Sequence, residues 1–81
     1  MTVADVFTIR NRGTVTTGIV TFGTLRVGDT VAINDGELAR VDGIEAYKQL
    51  LDEANEGDNI GVLFRELDHS RVKRGDVLTA G

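Results

Sequence analysis

Asp68, His69 and Ser70 place an acid, a base and a hydroxyl side by side in the sequence. Such a set runs acyl transfer only when its members converge from separate elements, base facing nucleophile and acid facing base. Three consecutive residues of a polar loop do not align in that way, so His69 is expected to be exposed or structural. The remaining inventory offers little else for catalysis. There is no cysteine, a single histidine cannot build an imidazole metal site, and no carboxylate pair has the spacing of an acid–base couple. Gly13 to Gly18 is bounded by glycines but contains no lysine. Nowhere does the chain carry G-x-x-x-x-G-K-[ST], the loop whose amides and lysine cradle nucleotide phosphates. The chain is therefore expected to be no enzyme, to hold no metal or cofactor, and to bind no GTP. Recognition through shape, apolar surface and charge is what remains.

Charge narrows that further. The net charge of −4 is unevenly spread: residues 1–34 carry +1, residues 35–58 carry −6 and residues 59–81 carry +1. A stand-alone binder of nucleic-acid backbone shows a basic surplus, because each phosphate contact releases counterions. Any nucleic-acid role here must rest on a specific pocket or on neighbouring domains. Arg71, Lys73 and Arg74 form a short basic cluster that reads first as a solvated face and second as an RNA-phosphate contact. No apolar run approaches the ~20 residues of a membrane span, and Met1 to Asp5 lacks the blocks of a signal peptide. Together with the missing cysteines this gives the expectation of a soluble, cytoplasmic protein without membrane contact.

The elements that must position any site are strands. Asp5 to Arg10, Thr14 to Phe22, Thr30 to Asn34, Leu38 to Val41, Asn59 to Arg65 and Val77 to Thr79 are rich in β-branched residues and partly alternate. Asp35-Gly36 predicts a type I′ hairpin, and a change of apolar register predicts a bulge at Asp42-Gly43. Ala46–Asn55 and Asp68–Lys73 read as short helical turns. Val27-Gly-Asp29, Glu56-Gly-Asp58 and Arg74-Gly-Asp76 repeat one turn signature, glycine for positive φ and aspartate for nearby amides. A single all-β domain over 1–81 follows, and closing so many short strands into a small antiparallel barrel removes exposed edges. Val6 or Phe7, with Ile9, Val15, Val20, Val31, Ile33, Val41, Ile60, Val62, Phe64 and Val77, is expected to fill it. Phe22 is expected to cap a barrel end.

The string Asp5-Val-Phe-Thr-Ile-Arg-Asn-Arg-Gly-Thr-Val-Thr-Thr-Gly18 resembles the opening of the second domain of elongation factor Tu and related translational GTPases. Gly23, Val27-Gly-Asp29, Gly43-Ile-Glu45, Leu50-Leu-Asp-Glu53, Gly57 to Arg65 and Arg74-Gly-Asp-Val-Leu78 follow in the family's order. The resemblance runs from about Asp5 to Leu78 and implies a closed six-stranded antiparallel β-barrel. It further implies a module that holds the aminoacylated 3′ end of tRNA and touches ribosomal RNA. Carried over by position, Ile9 and Val15 would wall an adenine slot and Glu45 would accept a hydrogen bond from the ribose. Asp5 would stand beside them, the Asn59 backbone would lie near the amino-acid end, and Tyr47 would face the amino-acid side chain or simply pack. Ala4 stands where the family has a glutamate, Asn11 where it has glycine, Lys48 where it has arginine, and Thr21-Phe22 where it has a charged pair.

Two alternatives accompany this expectation. The barrel could serve as a protein-interaction or self-associating module, marked by Leu63, Leu67 and Phe22 if exposed together. It could also be a domain excised from a longer GTPase, since Leu78 to Gly81 falls where the family continues into a third domain.

Overall fold

The structure is a computed structural model describing residues 1–80. Its punctuation is a turn used three times. In Arg26–Asp29, Asn55–Asp58 and Lys73–Asp76 the last N–H donates to the first carbonyl at 3.0, 2.9 and 3.0 Å. In each, the aspartate carboxylate also accepts from the first residue's N–H, at 2.9, 2.8 and 2.9 Å. Gly28, Gly57 and Gly75 sit between at φ 96°, 92° and 93°, the left-handed position that a side chain resists. The Gly-Asp signature thus folds as its chemistry dictates.

Between such turns run ten short strands: β1 (Thr2–Ile9), β2 (Gly13–Ile19), β3 (Thr24–Arg26), β4 (Thr30–Ile33) and β5 (Leu38–Arg40), then β6 (Gly43–Ala46), β7 (Gln49–Leu51), β8 (Glu53–Asn55), β9 (Asn59–Phe64) and β10 (Leu78–Ala80). All pairs are antiparallel, in a five-stranded sheet β1-β2-β9-β6-β7, a three-stranded sheet β10-β4-β5 and a pair β3-β8. The all-β architecture is as expected, but its wall is three sheets rather than one ladder of six strands. One seam is stitched by Thr2 bridging Val77, Val3 N donating to the Asp76 carbonyl, and Leu78 N donating to the Met1 carbonyl, both at 2.8 Å. Another follows Val41 N to the Asp29 carbonyl and Asp42 N to the Leu63 carbonyl, each 2.8 Å.

Those last two bonds correct the bulge expected at Asp42-Gly43. The apolar register changes there because the chain steps from one sheet into the next. The recorded irregularity lies instead in β1, between Val3 and Asp5, where Ala4 is the extra residue. Val3 pairs with inward Gly18, Asp5 with outward Thr17, so Asp5, Phe7 and Ile9 all face out. Phe7 is accordingly half exposed, and Val6 is the one that packs on the core. Ile9 is only partly covered. At the far end Val77 is exposed and Leu78 is buried in its place.

Val20, Val31, Ile33, Val41, Ile60, Val62 and Phe64 fill the interior as expected, joined by Val3, Leu25, Ile44, Ala54, Leu67 and Val72, whereas Val15 is covered on the outer face of β2 rather than inside. Leu67 therefore cannot share an exposed patch with Phe22. Phe22 projects into solvent at 91% exposure, so it caps nothing.

Two hairpins also differ from expectation. Residues 46–55 form no helix: Ala46 pairs with Gln49 across a two-residue loop, Tyr47 (φ 54°) and Lys48 (φ 62°), and β7 and β8 continue the chain. Both φ values are positive, the type I′ arrangement, reached here without glycine. The other I′ pair is Asn34 (φ 52°) and Asp35 (φ 60°), one residue before Asp35-Gly36, closed by Gly36 N donating to the Ile33 carbonyl at 2.9 Å. Around 68–73 a single 3₁₀ turn, His69–Arg71, is present. No helix among the described residues is long and apolar enough to cross a membrane.

Candidate functional site

Strand parity builds the site. On the outer face of the five-stranded sheet the registers align Asp5, Thr17, Gly61, Glu45 and Leu50 in one row across all five strands. Phe7, Val15, Leu63 and Gly43 form the row beside it. Cross-strand neighbours stand within side-chain reach, so each row acts as a unit.

Where these rows meet Ile9 there is a shallow groove of about 40 Å³. Ile9, Val15, Leu63 and Leu50 give it apolar walls, Gly43 and Gly61 its floor, and Arg12 and Glu45 its charges. The floor is low because Gly61 has no side chain: a Cβ there would come within 3.3 Å of Glu45 Cγ and 3.4 Å of Val15 Cγ1. The Glu45 side chain thus folds across Gly61 towards Val15. Ile9, Val15 and Glu45 are brought together as expected.

The remaining expected residues are spread around the groove. Asp5 shares the row of Glu45, but two strands separate them and Arg74 Nη2 holds its carboxylate at 2.6 Å. Asn59 lies two positions along β9 from Gly61, exposed and on the same face. Tyr47 and Lys48 project from the β6–β7 hairpin tip, Tyr47 at 92% exposure, so Tyr47 packs against nothing in the barrel. Asn11 occupies the β1–β2 tip at φ 64°, in a turn closed by Arg12 N donating to the Ile9 carbonyl at 2.9 Å. Asparagine tolerates this left-handed conformation, which explains how it replaces the family's glycine.

A second, wider hollow of about 560 Å³ adjoins the groove and shares Ile9 and Arg12 with it. Arg10, Arg12 and Arg65 surround it with His69, Glu66 and Asp68. Among the described residues these three arginines are in no ion pair. The cluster Arg71, Lys73, Arg74 is different, since Arg71 Nε reaches Glu37 at 2.7 Å and Arg74 reaches Asp5.

Asp68, His69 and Ser70 make no triad. The Ser70 hydroxyl and N–H both donate to Asp68, holding its carboxyl below the usual range, and His69 Nδ1 stands 3.7 Å from the same carboxylate. This is a cap on the 3₁₀ turn.

Sequence reasoning did not assign Arg12, Leu50, Gly61 and Leu63 to the slot. Strict alternation along β9 was the available signal: Ile60, Val62 and Phe64 face inward, so Asn59, Gly61 and Leu63 must face outward.

The fold defines a small antiparallel β-barrel domain with a shallow groove on its outer sheet. Residues 13–79 match the family described as elongation factor Tu domain 2, and the chain belongs to that family. It is also similar to a solved structure, the bacterial selenocysteine-specific elongation factor EF-Sec. The match has a TM-score of 0.83 at 28% identity, covering 94% of this chain. The chain spans 13% of that factor's length.

Proposed function

We propose that this domain is a non-catalytic, RNA-facing module of a translation elongation factor, and that the Ile9–Val15–Glu45 groove receives the terminal adenosine of an aminoacyl-tRNA. The observation that carries the reading is the carboxylate of Glu45 laid over a glycine floor beside apolar walls. A flat base gains roughly 1–3 kcal/mol on such a surface, and a carboxylate distinguishes a ribose 2′-hydroxyl from its absence. The shallow floor suits a base lying on the sheet rather than one enclosed by it. Arg10, Arg12 and Arg65 next door, in no ion pair among the described residues, suit the adjoining phosphates, which answers the acidic net charge: the basic groups are local. Ribosomal RNA contact and a cytoplasmic setting belong to the same reading.

Fluorescence anisotropy with labelled aminoacyl-tRNA tests it. Binding is expected to weaken about tenfold for a 3′ end with terminal 2′-deoxyadenosine and for Glu45→Ala, the size of one hydrogen bond to a charged group. No binding at about 100 µM, the weak end of non-specific association, overturns the reading.

A second reading is favoured by the exposure of Phe7, Ile19 and Leu50 on this same face: docking of a protein or a second copy. Light scattering after size exclusion separates the two, since the RNA reading expects a monomer.

A further inference from the structure

We propose that the free edge of β5 is a docking site for an extended peptide bearing basic side chains, which binds as an added strand. The outer-sheet groove plays no part in this.

β5 ends the three-stranded sheet, with β4 on one side and no strand on the other among the described residues. The hydrogen-bond alternation fixes which groups are free. Ile33 N donates to the Glu37 carbonyl and Val41 N to the Asp29 carbonyl, both at 2.8 Å, so residues 37, 39 and 41 face β4. In an antiparallel ladder the intervening residues point the other way. The N–H and C=O of Leu38 and Arg40 are therefore directed away from the sheet.

They are directed at a hollow of about 280 Å³. Its back is apolar and continuous with the core, formed by Phe64 and Leu67, which are 1% and 6% exposed. Its rim is acidic: Glu37, Asp42 and Glu66 against Arg40. Glu37 is engaged by Arg71, and Asp42 accepts from Arg65 N at 2.8 Å with Arg40 Nε 3.9 Å away, while Glu66 is in no ion pair among the described residues. The hollow lies beside the acidic middle of the sequence.

An added strand sits ~4.8 Å from its neighbour, which brings it into this hollow. Alternate side chains of that strand would then face Phe64 and Leu67 on one side and the carboxylate rim on the other. An apolar–basic alternation satisfies both, and an acidic strand would meet Glu66 unfavourably.

The test is an amide NMR titration of the ¹⁵N-labelled chain with a capped hexapeptide alternating valine and lysine, and with its valine–glutamate counterpart. Expected are shifts and new exchange protection at Leu38 and Arg40, with Ala39 already protected and little changed. The lysine peptide should bind at least about tenfold more tightly than the glutamate one. Arg40→Pro deletes one outward N–H without touching the β4 ladder and should weaken binding about fivefold to tenfold. Glu66→Lys, on an exposed rim, should narrow or invert the charge preference whether or not Arg40→Pro folds. No saturation at millimolar peptide, equal affinity for both peptides, or shifts centred away from β5 would overturn the proposal.

Discussion

Glu45 and Gly61 are cross-strand partners, and the glutamate side chain occupies the space a side chain at Gly61 would need: an added methyl would lie 3.5 Å from Oε1 and 3.3 Å from Cγ. Gly61 is not in a left-handed conformation, so space alone is at stake. Gly61→Ala is expected to keep the fold, because the Glu45 side chain can swing outward by a few tenths of an ångström. The swing displaces the carboxylate from the groove. RNA affinity should drop about tenfold while the melting temperature moves by only a few degrees, an effect of about 1 kcal/mol on each side. Unchanged affinity with unchanged fold would remove Glu45 from the recognition surface.

Arg12 belongs to both hollows and is in no ion pair among the described residues, whereas Arg71 is tied to Glu37. Phosphate contacts reveal themselves through salt. Arg12→Ala should lower the slope of log affinity against log salt by about 0.7, the value for one single-stranded phosphate contact. Arg71→Ala should leave the slope unaltered. Binding measured across a salt series reads both.

Asp76 is buried at the third Gly-Asp turn, where Asn34 Nδ2 donates to its carboxylate at 3.0 Å and Lys73 N at 2.9 Å. The Asn34 bond, then the Lys73 amide, holds its carboxyl below the ordinary aspartate range. A folded value below the unfolded one means protonation favours the unfolded chain. The stabilisation is present above about pH 4 and is lost as pH falls through the lower folded value. Denaturant unfolding at pH 7 and pH 3 should show wild type losing more stability over that interval than Asp76→Asn, which starts lower and declines less. Parallel losses in the two proteins would refute it.

Lys48 holds φ 62° at the tip of the β6–β7 hairpin, beside Tyr47 at φ 54°. Left-handed backbone costs a side-chain-bearing residue roughly 1–2 kcal/mol. Glycine relieves that and returns part of it as unfolded-state entropy. Lys48→Gly should therefore stabilise the domain by about 0.5–1 kcal/mol, or a few degrees in melting temperature. Differential scanning calorimetry decides it, and a lower melting temperature would mean that Lys48 makes contacts worth more than the strain.

That hairpin also marks where the sequence was hard to read. The repeated Gly-Asp turns were legible because each carries its glycine and its amide acceptor in the sequence. Tyr47-Lys48 carries neither, so the segment reads as helical until the pairing of Ala46 with Gln49 imposes the turn. Ile60, Val62 and Phe64 were legible as core because their alternation is unbroken. Phe7 and Ile9 were not, since nothing in Thr2 to Ile9 announces a residue to spare. Arg10, Arg12 and Arg65 lie more than fifty residues apart between first and last, and only the β2–β9 pairing brings their ends together.

That spare residue is Ala4. Were it paired within the ladder instead of bulged out of it, the alternation from Val3 would run on through Ala4: Phe7 and Ile9 would turn inward, Val6 and Thr8 outward, and Asp5 would be driven against the apolar interior. The groove is thus conditional on a single bulge that absorbs one residue of the strand. Losing Ala4 would leave the outer chemistry in place, whereas flattening the bulge with Ala4 retained would exchange that chemistry wholesale, with every side chain left as it is.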